Sequence, residues 1–404
     1  MRCIRLGVVI DQDIKTGGGY QQALNAALLA KELPSNLAEV IFFTTRQDNV
    51  NILAEYQINA KLIHISLFGR VRSFIRREVK HLRVLNFLKF FEKINPREKP
   101  FLSERIDLVY FLEPSAWARD LEKINYITTV WDLCHRDELE FPELRSDRQF
   151  ELRERNYRAI LPKAAAIIAD SEVGKNNIAR RYGVDSERIH IIPFQGAASI
   201  RRADAANNFC DIRTEYGLLM PFIFYPAQYW AHKNHIYLLQ GLKTLEEQHN
   251  LIVGAIFSGG DFGNLAYIQE YADKLGLSER IRYAGFLKNE EIMSVYRYSL
   301  ALVMPTYFGP TNLPPLEAFQ IGVPVLYPDR VGLKDQVGEG ALLMDLKKPE
   351  SMAQCLVQLI EDKSFAESLV NEGRKRMQYF DSVDRLGILG SIIEDFCWKR
   401  MCWK

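Results

Sequence analysis

The stretch VMPTYFGPTNLPPLEAFQIGVPVLYPD, residues 303–329, decides how the chain is read. An apolar strand runs into a loop of Gly309, Pro310, Thr311, Asn312, Leu313, Pro314 and Pro315, after which Glu317 is expected to open an apolar helix that stops at Gly322. A glycine-bearing loop that enters a helix leaves backbone N–H groups without intrahelical partners, and with the positive helix end they favour anionic oxygens. Glu317, just inside the helix, would offer its carboxylate to a pair of vicinal hydroxyls such as a ribose presents. A second strand at 324–326 follows at once. The unit is therefore strand, loop, helix, strand, with the loop at the carboxyl edge where open α/β sheets take their ligands. A Pro-rich turn with Glu317 as a plain helix-start charge would leave the same pattern, so the rest of the chain has to choose.

A chain of 404 residues exceeds what one core usually organises, which predicts two domains. Hydrophobic residues at 48% and charged residues at 25% are values of a folded protein with little room for long disorder. A formal net charge of +1 gives no overall attraction to nucleic acid. Cys3, Cys134, Cys210, Cys355, Cys397 and Cys402 are scattered, with no CxxC pair and no His at metal spacing, so free thiols in a reducing compartment are expected and no metal site. The start MRCIRLGVVID is a strand-length apolar run without the layout of a signal peptide, and no run of about 18 apolar residues is present to span a bilayer. The expected location is cytoplasmic, with attachment to the inner face of the membrane left open.

Strands and helices alternate along the chain, the pattern of parallel α/β sheets. Strands are expected at 6–11, 40–44, 62–65, 108–111, 126–130, 166–169 and 189–193, with Thr16-Gly17-Gly18-Gly19 leading into a helix over 21–32. A polar stretch from 197 to 216, rich in Ala, Asn, Arg and Asp, reads as a linker. The alternation restarts with strands at 222–225, 252–258, 281–283, 301–304 and 324–326 and helices at 264–275 and 290–298. The expected architecture is α/β with two Rossmann-like domains: residues 1–200, a linker at 201–217, residues 218–380, and a terminal helix within 381–404 that returns to the first domain. No internal repeat and no low-complexity tract interrupts this order.

The second informative cluster opens the second half: Phe224-Tyr225-Pro226-Ala227-Gln228-Tyr229-Trp230-Ala231-His232-Lys233-Asn234-His235, followed by an apolar helix at 236–242. Polar groups again fall at the carboxyl end of a strand. An ammonium at Lys233 near a helix start can neutralise charge that builds on a departing diphosphate. An isolated first-turn Lys is more often simply solvated, and what singles this one out is the 303–329 loop in the same half.

These two clusters, in this order, resemble the retaining glycosyltransferases of family 4, also called group 1, which have the GT-B fold of two Rossmann-like domains facing a central cleft. The resemblance spans essentially the whole chain and is strongest over 225–329. Leu313-Pro314-Pro315-Leu316-Glu317-Ala318 matches the second half of the family loop EGFGLPPLEA, which implies that Glu317 binds the ribose of a nucleotide. The first Glu of the paired-glutamate motif falls on Gly309 and is missing. Of the family's Arg/Lys pair for the diphosphate, Lys233 remains, while Gln228 replaces the Arg and carries no charge. The phosphate would then rest on Lys233 and the loop amides at 309–313. A bacterial subgroup with both changes, reading like PAQFWPHKNH and FGPTNIPPLEA, is similar to this chain.

Other positions follow from the same resemblance. Gly17, Gly18 and Gly19 look like the family's glycine loop, although their spacing is not a dinucleotide fingerprint. Trp131-Asp132-Leu133-Cys134-His135 with Phe141-Pro142-Glu143 is similar to the HDL…PE stretch whose His touches the donor sugar. Trp131 stands at that His position, leaving Asp132 and His135 as polar groups near the reaction centre, although an Asp closing a strand is commonly a turn residue. Ser171 caps the helix after Asp170. Ser258-Gly259-Gly260 and Gly285-Phe286-Leu287 would line the nucleotide side. The implied enzyme is a hexosyltransferase that takes a hexose from a nucleoside diphosphate sugar to a saccharide or lipid-linked saccharide acceptor with retention, in bacterial surface polysaccharide or lipopolysaccharide synthesis. It would act by same-face substitution without a metal cofactor, Lys233 and Asp132 being the expected catalytic groups. A GT-B epimerase, a phosphorylase and a non-catalytic nucleotide-sugar-binding protein are the rivals.

Residues 70–99 are basic and amphipathic, carrying Arg70, Arg72, Arg76, Arg77 and Lys80 among apolar residues such as Phe74 and Ile75. Such a helix either lies on an anionic membrane surface or packs its apolar side and leaves a solvated basic face. The tail at 396–404, with Trp398 and Trp403, would extend the same surface.

Overall fold

Short runs of β-branched and aromatic residues buried on both faces pair in parallel, because the returning helices cover both sides of the sheet. The computed structural model describes residues 3–11, 17–79, 94–196, 211–309 and 311–403. It divides into two units, the first comprising Met1–Leu133, Phe150–Pro193 and Asp384–Lys404 and the second Cys134–Gln149 and Phe194–Val383. The expected division at residue 200 thus misses the excursion Cys134–Gln149, which groups with the second unit.

In the first unit, β1 (Ile4–Val9), β2 (Ala38–Thr44), β3 (Ala60–Leu62), β4 (Leu108–Phe111), β5 (Asn125–Val130), β6 (Ala166–Ala169) and β7 (Ile189–Ile191) form one sheet in the order β3-β2-β1-β4-β5-β6-β7. In the second, β8 (Phe222–Pro226), β9 (Gly254–Ser258), β10 (Ile281–Tyr283), β11 (Ala301–Val303), β12 (Val325–Pro328) and β13 (Leu342–Met344) run in the order β10-β9-β8-β11-β12-β13. All pairings are parallel, such as Ile223 opposite Ala301 and Phe224 opposite Leu302. Both orders are those of Rossmann-like sheets, whose direction of winding reverses once. β13 was not anticipated: its sequence LLM is too short to carry a period.

Three expectations change at the helices. Gly17, Gly18 and Gly19 form the first turn of the helix Gly17–Lys31 and do not precede it, while residues 12–16 lie outside the described residues. The expected linker contains the helix Ile212–Tyr216, capped by the Asp211 carboxylate on Arg213 N–H at 3.0 Å, with Ile212 in the second core; residues 201–210 lie outside the described residues. Glu317 does not open its helix, which runs Leu313–Ile321. Pro314 and Pro315 fit the first turn because its N–H groups have no intrahelical acceptor, so the prolines belong to the helix and Glu317 lies well inside it.

The terminal helix Arg385–Arg400 buries Leu389, Ile392, Ile393, Phe396 and Cys397 in the first core with Ala23, Leu24 and Ala27, and Arg385 Nε donates to the Pro193 carbonyl at 2.9 Å. Ser171 Oγ accepts from Gly174 N–H at 3.1 Å, the expected cap. Cys3, Cys134, Cys355, Cys397 and Cys402 are free thiols.

His235 begins the helix His235–His249 and is fully buried between Tyr225, Tyr229 and Phe257, with neither ring nitrogen hydrogen-bonded. Burial, with the nearby Lys233 and His232, pushes its pKa down from 6.5 to about 3. The unfolded chain therefore binds the extra proton first, and stability falls as pH drops from about 6.5 toward 3. By pH 5 this one group costs about 2 kcal/mol. His235→Phe is expected to reduce the loss of Tm between pH 7.5 and pH 5 in thermal melts; an equal loss in the variant would assign the acid sensitivity elsewhere.

Candidate functional site

The second sheet reverses its winding between β8 and β11, and the carboxyl ends of the strands at such a reversal are where open α/β sheets take their ligands. The two loops are those marked in the sequence: 227–234, with Gln228 and Lys233, and 304–312, leading into the Glu317 helix.

The 304–312 loop is held from beneath. Gln336 Oε1 accepts the Asn312 backbone N–H at 2.9 Å, and Gln336 Nε2 returns a hydrogen bond to the Asn312 carbonyl at 2.6 Å. Asn312 Nδ2 donates to the Gly309 carbonyl at 2.9 Å and to the Tyr327 hydroxyl at 2.6 Å, and that hydroxyl donates to Gln336 Oε1 at 3.1 Å. Asn312, Gln336 and Tyr327 are all buried, so the set is closed against water and fixes the direction of the loop. Asn312 is thus spent on the loop and makes no side-chain cap for the following helix. Thr311 is half-buried and Leu313 buried beside it; Pro310 lies outside the described residues.

Gly309 has φ of +108°, and a Cβ there would stand 2.9 Å from Asn312 Oδ1. The backbone and its neighbour both favour glycine at this position. Glu317 is buried, and Oε2 accepts the Tyr296 hydroxyl at 3.0 Å. Burial pushes its carboxyl up to about 7, against the opposing effect of that hydrogen bond.

The 227–234 loop ends in the turn Ala231–Lys233, closed by Asn234 at φ of +56°. Lys233 is half-buried. The Gln228 side chain is engaged: its Oε1 accepts the Trp230 indole N–H at 3.0 Å, and Trp230 stacks on Phe262 with ring centroids 4.3 Å apart. This leaves only its amide nitrogen to face an anion. Gly285, at φ of +63°, accepts from Gly259 N–H at 2.8 Å and Ser258 Oγ at 2.9 Å, tying the loops after β9 and β10 together. Phe286 beside it is 62% exposed and Leu287 half-buried.

A cluster that sequence reasoning did not assign lies at His232, the residue before Lys233. His232 is buried, stacks on Phe308 at 3.8 Å, and pairs through Nδ1 with Glu143 Oε1 at 2.5 Å. Phe141 packs on Tyr307 and Phe308, and Arg330 pairs with Glu138 while lying over the Tyr307 ring. Burial works to raise the Glu143 carboxyl, but the His232 hydrogen bonds prevail and hold it below the usual range. The only sequence signal was the Phe-Pro-Glu run at 141–143, which gives no hint of its partner.

The remaining expected residues are divided between the two units. Asp132 belongs to the first unit, where Arg153 Nη2 binds its Oδ1 at 2.6 Å. His135 is fully buried in the second unit. Gly18 is exposed and Gly19 half-buried in the first turn of their helix. Placing a carboxylate at residue 309 is expected to fail as a repair: Gly309→Glu should cost about 1–3 kcal/mol through its positive φ and the clash with Asn312, read as a lowered Tm.

Residues 219–376 match the model described as glycosyl transferases group 1, and residues 25–194 match Glycosyltransferase Family 4. The O-antigen chain mannosyltransferase B of Escherichia coli is 24% identical over 314 residues, 74% of this chain and 80% of that protein. Among solved structures, the sucrose-phosphate synthase of Thermosynechococcus elongatus superposes with a TM-score of 0.70 at 17% identity, over 98% of this chain and 100% of that one. The Anabaena HepE structure in complex with UDP-glucose gives a TM-score of 0.68 at 17% identity, over 98% and 99%. The order of the two sheets, the loops at the reversal of the second and the pair of matched domains converge on one class: the chain carries a Glycosyltransferase Family 4 domain followed by a glycosyl transferases group 1 domain, and is a glycosyltransferase with the GT-B fold.

Proposed function

We propose that this enzyme is a retaining hexosyltransferase that uses a nucleoside diphosphate sugar and a saccharide or lipid-linked saccharide acceptor, in the synthesis of bacterial surface polysaccharide. The observation that carries the reading is the placement of Lys233 and the Glu317 helix on the two loops that flank the winding reversal of the second sheet. A mannosyltransferase of O-antigen chains among the relatives and a UDP-glucose complex among the structural neighbours support the donor and acceptor classes.

In this reading Glu317 accepts hydrogen bonds from the ribose hydroxyls, and backbone groups at Gly285, Phe286 and Leu287 meet the base. Lys233, the Gln228 amide and the N–H groups of 309–313 meet the diphosphate. The bond from the anomeric carbon to the diphosphate oxygen breaks as the acceptor oxygen bonds on the same face, and the acceptor proton passes to the departing diphosphate. Lys233 stabilises the charge that grows on that leaving group. No metal ion enters the scheme. Asp132, held by Arg153, is proposed as a polar group of the acceptor side with Gly18 and Gly19, and His135 as a buried support.

The membrane-facing part of the proposal rests on the helix Leu67–Val79, whose Leu67, Phe68, Val71, Phe74 and Ile75 are exposed, as is Arg70, with Arg72 half-buried. An apolar stripe between arginines suits an anionic lipid surface. Not all of the basic charge is free for it, since Arg76 is bound twice by Glu122 at 2.7 and 2.9 Å and Arg97 by Asp120 at 3.2 Å; residues 80–93 lie outside the described residues. Among the described residues no helix is long and apolar enough to cross a membrane.

A thermal-shift panel of UDP, GDP, ADP, dTDP and CMP is expected to show a rise in Tm with one nucleotide, lost in Glu317→Ala; no rise with any would refute the donor assignment. Because the carboxylate form accepts both ribose hydroxyls and its pKa is near 7, affinity for that nucleotide should increase up to about tenfold from pH 6 to pH 8, and Glu317→Gln should flatten the profile. Lys233→Ala is expected to lower kcat by about 10²–10³ with a smaller change in KM, measured as nucleotide release from the sugar conjugate.

A further inference from the structure

Lys233 sits in a turn whose backbone is fastened to its surroundings on both sides. The Tyr225 hydroxyl donates to the Lys233 carbonyl at 2.9 Å, and Tyr307 N–H donates to the His232 carbonyl at 3.0 Å. Glu143 supplies the remaining tie: one oxygen, Oε1, accepts the His232 backbone N–H at 3.0 Å and lies 2.5 Å from the His232 ring nitrogen Nδ1. The Glu143 side chain is only 8% exposed and that of His232 only 10%, so water cannot replace this acceptor cheaply. Phe308 stacks flat on the imidazole, with the rings inclined by 16°, which leaves the ring one orientation in which to meet the carboxylate.

We infer that Glu143 is a positioning residue for the transfer reaction, fixing through His232 the turn that aims the Lys233 ammonium at the leaving diphosphate. The inference rests on the role proposed for Lys233 above. A group that acts on charge developing in the transition state must be in place before the charge appears, because reorganisation during the step subtracts from its effect. Ground-state binding, spread over Glu317 and the loop amides, tolerates a misplaced ammonium far better. Loss of Glu143 therefore acts on kcat and leaves donor affinity nearly unchanged.

The test compares the full-length wild type with Glu143→Ala and Glu143→Gln in two measurements. One is release of UDP from UDP-glucose and of GDP from GDP-mannose; the other is backbone hydrogen exchange over 230–234. In Glu143→Ala, kcat is expected to fall at least about tenfold with KM within about twofold, and exchange over 230–234 to quicken at least about tenfold while β8 and β11 stay protected. Glu143→Gln, which keeps an acceptor for the His232 N–H but loses the charge, should fall between, and it decides the matter if the alanine variant does not fold. Unchanged exchange, unchanged kcat, or a loss confined to KM would overturn the inference. If the wild type releases neither nucleotide, the donor reading fails, and the exchange measurement alone then supports or overturns the tie between Glu143 and the turn.

Discussion

The parallel pairing of β8 with β11, Ile223 beside Ala301 and Phe224 beside Leu302, is the constraint on which the functional half of the molecule depends. Those residues are buried, and the register between them fixes the separation of the two loops that leave the strands at the same edge. The sheet winds away from this pair in opposite directions, the arrangement at which open α/β sheets take their ligands. What the loops carry can be polar and half-exposed, as Gln228 and Lys233 are, while the strands beneath remain apolar.

Each loop is then fixed by groups that cost stability. Asn312, Gln336 and Tyr327 form a buried set in which each satisfies the others, so the penalty of burial is offset. Glu317 is less fully compensated: the Tyr296 hydroxyl is the side-chain hydrogen bond that works against its burial, and the carboxyl is left titrating near neutrality. His235 is the extreme case, an imidazole walled in by three aromatic rings without a hydrogen bond. Strongly perturbed groups gathered at one sheet edge are common where a fold serves a ligand.

Gly309 and Gln228 show how substitution at a site follows local geometry. A backbone at φ of +108° with the Asn312 amide 2.9 Å from where a Cβ would stand strains any side chain, and the stack of Trp230 on Phe262 brings an indole donor that the Gln228 oxygen satisfies and an arginine would repel. Gly309 and Gln228 are thus both built into their surroundings.

The sequence by itself determined the alternation of strands and helices, the two Rossmann-like halves and the two loops that matter, because buried parallel strands and glycine- or proline-marked turns write their signals within a few consecutive residues. Ser171 as a cap was legible for the same reason. It placed Glu317 at a helix start by reading Pro314 and Pro315 as loop, although a first turn has no use for the N–H groups that proline lacks. Tertiary structure alone decided that Glu143 meets His232 across 89 positions of chain, that Gln336 holds Asn312 and that Arg153 occupies Asp132. Such contacts depend on where the fold brings distant side chains together, and a buried hydrogen bond between them leaves no periodic trace in the chain.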